Sequence, residues 1–396
     1  MKERAAQAAE AWAQGKAAKA DLVALPTGNY LAEVGQPRFR FDAALLDAAG
    51  QLAGYWLSEQ FGWGVNCFPF QVDTCTLHAP PPAAGSALVC RMQIGMEGDD
   101  RLRCAIDVID DAGQVVMRVD GWQDRVFNMP AALYDFRLAP VSTFMSTPWL
   151  RDRPGAAAGT LRRMTAIERN FLDEGGGIWK RVLAHLCLTR NERAQFYQLP
   201  ERGPRREEWL MGRIVAKDAL REWLAQHRQQ HLAAADIELN DAAKPIARVP
   251  AHPEIALPTV SISHSHGVAV ALLGAGEPTC GVDYQQLQRV DADSLVAGGF
   301  CDTEQHLLAQ YHGEARLRAA VAFWSAKEAA AKSQGLGLDG RPRDWVVTRV
   351  GKGRQPDTAW VMHAGTAHHV QLFYPSDTEV LALCHHLQTT DAATPA

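Results

Sequence analysis

Residues 323–338 read Phe-Trp-Ser-Ala-Lys-Glu-Ala-Ala-Ala-Lys-Ser-Gln-Gly-Leu-Gly-Leu. The stretch is dense in strong helix formers. A helix there puts Trp324, Glu328 and Lys332 at i, i+4 and i+8, on one face. By itself, Ala-Lys-Glu-Ala-Ala-Ala-Lys is also a good solvent-exposed helix with a Glu-to-Lys pair. The chemistry comes from what precedes it. Cys280-Gly-Val-Asp283 supplies a carboxylate at the end of a short apolar run, and the helix follows it in the chain. Asp283, Glu328, Lys327 and Lys332 together are enough to hold a divalent metal and a polyphosphate.

The bulk composition narrows the field. At 396 residues the chain exceeds a typical single domain, so two are expected. Hydrophobic and charged contents of 47% and 21% describe an ordinary globular protein with ample core. A net charge of −5 gives no reason to expect nucleic acid as a partner, so any anion site must be local. The eight cysteines show neither C-x-x-C pairing nor zinc spacing and read as scattered buried thiols in a reducing compartment. His385 and His386 beside Cys384 have no spaced partner ligand. No apolar run approaches the ~18 residues of a membrane span. The start, Met-Lys-Glu-Arg-Ala-Ala-Gln, is not a secretory signal, so the expected location is cytoplasmic, with no membrane partner.

Along the chain, residues 3–20 read as a short Ala-rich helix or linker remnant, and 42–60 as a more apolar helix. The period then changes to two: Phe68–His78, Ala87–Met96, Leu102–Ile109 and Gln114–Phe127 read as strands, with Asp110-Asp-Ala-Gly113 a turn. One long helix and an antiparallel meander make an α+β pattern. Pro140, Pro148, Pro154, Gly155 and an Ala run predict a linker at 141–160. Residues 161–199 and 205–231 read as helices. Strands follow near 235–240, 258–263, 267–273 and 279–284, then helices at 302–311 and 314–333. Strands near 345–350, 358–363, 368–373 and 379–385 end the chain. The expected organisation is 1–140, a linker at 141–160, a second domain at 161–390 and a tail at 391–396.

Gly-Val-Asp283 followed by Trp-Ser-x-Lys-Glu-Ala-x-x-Lys resembles the 4′-phosphopantetheinyl transferases, in particular the larger surfactin-synthetase-activating type. That resemblance implies a pseudo-twofold α+β fold over 161–390. It also implies transfer of phosphopantetheine from coenzyme A to a serine of an acyl carrier protein, with Mg²⁺ as cofactor. It assigns Asp283 and Glu328 as metal ligands, Glu328 as a favoured general base beside the alternative of a metal-bound water, and Lys332 as the pyrophosphate contact. The family often has a second acid where this chain has Gln285, which points to two protein carboxylates on the metal. Lys327, about 100° round the helix from Glu328, is left between a phosphate contact and a surface charge. Gly335-Leu-Gly337 follows a helix rather than a strand and is no dinucleotide fingerprint.

Four further segments extend the likeness. Ser261-Ile-Ser-His-Ser-His-Gly267 resembles the family's Asn-[Ile/Leu]-Ser-His-Ser, which implies Ser263 and His264 near the coenzyme A phosphates. Trp209-Leu-Met-Gly-Arg-Ile-Val-Ala-Lys217 resembles the helix whose basic residue meets the 3′-phosphate, naming Arg213 and Lys217; two surface cations on an amphipathic helix are the alternative. Lys244-Pro245 resembles the family's Gly-Lys-Pro, with Ala243 in place of Gly. Leu188–Phe196 resembles a helix near the start of many members.

At the other end, Phe41-Asp-Ala-Ala-Leu-Leu-Asp47-Ala-Ala-Gly-Gln51 resembles the second half of a polyketide synthase dehydratase, with Phe41-Asp42 in place of the usual His-Pro. The resemblance implies a hot-dog unit, a long helix wrapped by an antiparallel sheet, with the catalytic histidine supplied by a first half not in this chain. A dehydratase followed by a transferase resembles the C-terminal end of enediyne-type iterative polyketide synthases. The expected acceptor is therefore a carrier domain of the same synthase. The alternatives are a dehydratase working through Asp47, or a non-catalytic module that docks carrier protein.

Overall fold

The computed structural model describes residues 16–26, 41–62, 64–150, 161–165, 172, 177–242, 244–274, 279–288, 290–353 and 355–385. The chain divides into two compact units, Met1–Tyr134 and Asp135–Ala396. Among the described residues no helix is long and apolar enough to cross a membrane.

In the first unit, strand β1 (Ala17–Val23) precedes helix α1 (Ala43–Phe61), followed by β2 (Val65–Gln71), β3 (Thr74–Leu77), β4 (Ala87–Met96), β5 (Arg101–Ile109) and β6 (Val115–Asn128). The antiparallel sheet runs β1-β4-β5-β6-β2, with β3 also on β6. Asp42 caps α1 by accepting from the amides of Ala44 and Leu45. Leu45, Ala49, Ala53 and Leu57, four residues apart, form the buried stripe. The stripe meets alternate residues of the sheet: Leu88, Cys90, Met92 and Ile94 on β4, and Leu102, Cys104, Ile106 and Val108 on β5. At Gly50 a Cβ would lie 2.5 Å from the Trp122 ring, so the helix sits on the sheet as closely as a bare backbone allows. A single helix on an antiparallel sheet is the expected hot-dog unit.

One expectation is corrected here. Residues 17–20, read as helix or linker, belong to β1, which pairs with β4 from Ala17↔Gln93 to Val23↔Ala87. The open edge of β4 outweighs alanine's helix preference. Residues 3–15 lie outside the described part.

Helix α2 (Ala131–Leu138) leads towards the second unit. Its first half is β7 (Thr147–Pro148), β8 (Leu161–Thr165), α3 (Ile178–Cys187), α4 (Arg190–Gln198), α5 (Arg205–Arg228), β9 (Glu238–Leu239), β10 (Ala247–Arg248), β11 (Val260–Ser265) and β12 (Val268–Leu273). Its second half is β13 (Cys280–Gln286), α6 (Ala292–Gly299), α7 (Asp302–Leu308), α8 (Glu314–Ser333), β14 (Val346–Val350), β15 (Thr358–His363), β16 (Thr366–Phe373) and β17 (Glu379–His385). The sheets run β11-β12-β8-β7 and β13-β17-β16-β15-β14. Each half has a strand (β8 or β13), three helices and a closing hairpin (β11–β12 or β16–β17) whose last strand pairs with that strand, with β7, β9 and β10 added in the first half and β14 and β15 in the second. The helical reading of 161–199 is corrected accordingly: it begins with β8, paired to β12, and the helices start at Ile178.

The two halves repeat one buried ion pair. Glu192, at the start of α4, accepts from the Thr189 amide (2.9 Å), the Leu239 amide (3.1 Å) and Lys217 Nζ (2.5 Å), and Lys217 also donates to the Cys187 carbonyl. Glu304, at the start of α7, accepts from the Cys301 amide (3.0 Å), the Val347 amide (3.0 Å) and Lys327 Nζ (2.8 Å), and Lys327 also donates to the Gly299 carbonyl. Each pair ties the end of one helix, the start of the next, the long third helix and the strand beyond.

The first part of the expected linker is packed. Asp218 on α5 accepts from the amides of Met145 and Ser146 and from the Ser146 hydroxyl (2.9, 2.9 and 2.8 Å). Arg221 donates to the carbonyls of Pro140, Val141 and Thr143. These buried charges hold residues 140–146 to α5 instead of leaving them as spacer; 151–160 lie outside the described part.

Removing one partner of a repeated pair strands the other in the core. Glu304→Ala or Glu192→Ala is expected to destabilise the second unit by about 3–5 kcal/mol, seen as a fall in denaturant midpoint. Lys327→Met combined with Glu304→Ala should cost less than the sum of the two single changes.

Candidate active site

Strand β13 and helix α8 touch at Gly281. A Cβ there would lie 1.9 Å from the Ala329 carbonyl oxygen and 2.7 Å from the Ser333 amide. Only a glycine permits this approach. Two residues on, Asp283 points to the same side of the strand and meets the last turn of α8: Lys332 Nζ donates to its Oδ1 at 2.7 Å. The spacing in Gly-Val-Asp thus has a mechanical meaning, with contact first and the carboxylate one pleat later.

Asp283 is almost wholly enclosed, at 2% side-chain exposure. The Ser263 hydroxyl, on β11, donates to Oδ1 at 2.9 Å, and Gln285 Nε2 donates to Oδ2 at 3.1 Å. The Ser263 hydroxyl also accepts from the Tyr284 amide, and the Ser261 hydroxyl from the Val282 amide (3.1 and 3.0 Å). These two serines join β11 to β13 where no backbone ladder does. Ser263, expected near the coenzyme A phosphates, is buried, and its hydroxyl meets Asp283, the Tyr284 amide and Lys332 Nζ (3.3 Å).

On α8 the residues from Ala319 to Ser333 are buried except Trp324, Glu328 and Lys332. The one-face reading holds. Glu328 has no hydrogen-bond partner among the described residues. Burial raises its pKa above the usual carboxylate range; Lys332 opposes this and Asp283 adds to it. Lys327 faces the other way, fully buried against Glu304, which excludes both sequence readings of it. The helix ends with Leu336 N–H donating to the Ala331 carbonyl and Gly335 N–H to that of Lys332, Gly335 at φ +72°. Lys244 lies along this cap, its Nζ 3.5 Å from the Ser333 carbonyl.

His264 ends β11, 46% exposed, with Nδ1 3.6 Å from the Glu208 carboxylate of α5. Burial lowers its pKa, Glu208 opposes this, and Lys332 and Asp283 act with opposite signs, so the imidazole stands in the field of the Asp283–Lys332 pair.

The two candidates on α5 are corrected. Lys217 is 0% exposed and bonded to Glu192. Arg213 is buried, donating to the Asn240 carbonyl (2.8 Å) and the Asp241 carboxylate (2.9 Å) over the Trp209 ring. Their i,i+4 spacing is kept, but the shared face points into the fold. Glu208 was not singled out in the sequence; four residues before Gly212, in the first turn of a long helix, it looks like an ordinary helix-start acid.

Among the described residues no group of three His, Cys, Asp or Glu side chains could hold a metal. The donors at hand are the Asp283 and Glu328 carboxylates and the Gln285 amide oxygen. An all-oxygen set with two acids, one of them disfavoured as an anion by burial and by the other, suits a hard divalent cation that keeps its waters.

In the first unit, Asp47 and Gln51 lie exposed on α1, and Gln51 Nε2 donates to the Asp47 carboxylate at 2.8 Å.

Comparison with known proteins adds two matches. Residues 279–384 match the family model of the 4′-phosphopantetheinyl transferase superfamily, a range that includes Asp283, Glu328 and Lys332 but not His264. Residues 23–131 match that of the polyketide synthase dehydratase N-terminal domain, where the run at 41–51 leads us to expect the second half. The chain therefore carries a dehydratase-type segment followed by a phosphopantetheinyl-transferase-type segment. No curated protein matches. Among solved structures, a thioesterase from Haemophilus influenzae is 12% identical (29% of this chain, 73% of that one, TM-score 0.23). A hot-dog-like protein from Thermanaerovibrio acidaminovorans is 18% identical (31% and 87%, TM-score 0.24). A dehydratase domain of the curacin polyketide synthase is 18% identical (28% and 39%, TM-score 0.23).

Because burial raises the Glu328 pKa, the fold is penalised as pH rises from the ordinary carboxylate range through that raised value, and the penalty is complete above it. Without divalent cation, Glu328→Gln should melt higher than the wild type at neutral pH. The two melting curves should converge in acid, where Glu328 is protonated in both folded and unfolded states.

Proposed function

We propose that the second unit transfers the 4′-phosphopantetheine group from coenzyme A to a serine of an acyl carrier protein, with Mg²⁺ as cofactor. The observation that carries this reading is the convergence of Asp283, Glu328 and Lys332 at the Gly281 contact between β13 and α8. In the reaction the serine Oγ forms a bond to the β-phosphorus of coenzyme A. The pyrophosphate bond breaks, and adenosine 3′,5′-bisphosphate leaves with the electron pair.

Each residue has a task. Asp283 and Glu328 would hold the cation, which when bound neutralises charge on the pyrophosphate. Lys332, fixed by Asp283, places an ammonium where phosphate oxygens gather negative charge. Glu328, with no hydrogen bond competing for it and a pKa raised by burial, takes the serine proton. Gln285 donates to Asp283 and takes no proton. Lys244 and His264 line the approach for the remaining phosphates.

The dehydratase-type segment in the same chain supports a polyketide synthase carrier domain as the natural acceptor. An acceptor in the same assembly reaches an effective concentration of about millimolar if the linkage can span the distance. Asp47, on which a lyase reading would rest, is exposed and bonded to Gln51.

Incubation with coenzyme A, Mg²⁺ and apo carrier domains should add the mass of one phosphopantetheine; no gain on any carrier would overturn the proposal. Asp283→Ala and Glu328→Ala should each lower kcat/KM by about 10²-fold or more, and Gln285→Ala much less. Removing Mg²⁺ with a chelator should abolish transfer, and adding it back should restore it. Equal or better efficiency on a fatty-acid carrier than on the cognate polyketide domain would defeat the same-assembly reading alone.

A further inference from the structure

One carboxylate beside the site has no task in the transfer. Glu207 and Glu208 both lie in the first turn of α5, where the helix N-terminus favours negative charge. Glu207 is matched by Lys180 at 2.6 Å. Glu208 is only 19% exposed, and its ion-pair partner among the described residues is His264, at 3.6 Å from Nδ1. A mostly buried acid aimed at a half-exposed imidazole is more than helix decoration.

The approach of the two is built into the fold. One turn along α5, a Cβ at Gly212 would lie 3.1 Å from Ile262 Cγ2 and 4.0 Å from His264 Cδ2. That glycine lets α5 lie against β11, and Glu208, four residues earlier on the same helix face, reaches the ring. Three charged groups face His264: Glu208 from α5, Lys332 from α8 and Asp283 from β13. Burial disfavours the charged ring, and of the three charges Glu208 is the largest, acting against burial; Lys332 and Asp283, bonded to each other at 2.7 Å, follow with opposite signs.

We propose that Glu208 is a positioning residue for His264: its carboxylate flanks the Nδ1 side of the ring, so that when a phosphate of coenzyme A reaches Nε2 the ring is turned towards it and takes up a proton more readily. The proposal rests on the transferase reading for its ligand, but not for the Glu208–His264 pairing itself. A neutral imidazole has a single N–H and no net charge, whereas an imidazolium has two donors and a positive charge. A carboxylate on one ring nitrogen fixes the ring's orientation and favours the protonated form. Glu208 thus acts on the substrate through the histidine.

The test has two arms on the full chain. In ¹⁵N spectra of the imidazoles followed from neutral into acid pH, without coenzyme A, Glu208→Gln should make His264 take up its proton at lower pH than in the wild type, and Glu208→Asp should restore part of the difference. An unchanged His264 signature in Glu208→Gln overturns the pairing, whether or not the chain is a transferase. In the transfer assay, Glu208→Gln should raise the KM for coenzyme A about tenfold with kcat changed by less than about threefold, a loss of binding rather than chemistry. His264→Ala should do the same, and the double variant should be little worse than either. Independent, multiplying effects, or a fall in kcat with KM unchanged, would overturn the role in phosphate binding.

Discussion

The buried lysine–glutamate pair is the constraint on which the second unit depends. Lys327 and Glu304 are both fully enclosed, and an ammonium in such a place survives only with its partner and hydrogen bonds complete. Glu304 supplies the acceptor while also taking the Cys301 and Val347 amides. One side chain therefore fixes the start of α7, the position of β14 and the rotation of α8. With Lys327 drawn inward, Trp324, Glu328 and Lys332 turn towards the site. Glu328, next to Lys327 in the chain, is turned out of the core because its neighbour is turned into it.

The first half repeats the arrangement with its charges rearranged. Lys217 and Glu192 take the places of Lys327 and Glu304. The residue after each lysine is an acid, Asp218 or Glu328. Five residues after each lysine lies the helix partner of an ion pair with the strand that precedes the three helices, β8 or β13: Glu222 with Arg162 (2.6 Å), and Lys332 with Asp283 (2.7 Å). The pair is conserved in place and reversed in sign. In the first half the acid is closed off, since Asp218 accepts from Met145, Ser146 and Arg221. In the second half Glu328 keeps its carboxylate open. The two halves are alike in what holds them together and differ in whether the acid is left open for chemistry.

Leaving Glu328 open has a cost. Its desolvated carboxylate beside Asp283 opposes folding at neutral pH. Asp283 is quieted by Lys332, Ser263 and Gln285, so the burden falls on one residue. A bound cation would relieve it, which couples loading of the site to stability.

The local part of this design was legible in the sequence. Period-two runs marked β4, β5 and β6, helix propensity marked α8, and a one-face spacing on that helix put Glu328 and Lys332 together. Asp283 was legible as the carboxylate closing a short apolar run and by the Gly-Val-Asp likeness; that Gly281 brings the strand against α8 only the structure shows. What a side chain touches across the fold was not legible. Lys217, Arg213 and Lys327 read as exposed cations because each sits in a helical pattern that also suits a surface; burial assigns them Glu192, Asp241 and Glu304, residues 23 to 28 positions away in the chain. Ser263 read as a ligand-binding hydroxyl until β13 came beside it. Residues 140–146 read as linker because their polar partners, Asp218 and Arg221, lie more than 70 residues on. Glu208 had no meaning until Gly212 let α5 close on β11. Periodicity and propensity are short-range properties that a sequence carries by itself; the partner of a buried charge is set by packing between distant segments, and only the tertiary structure decides it.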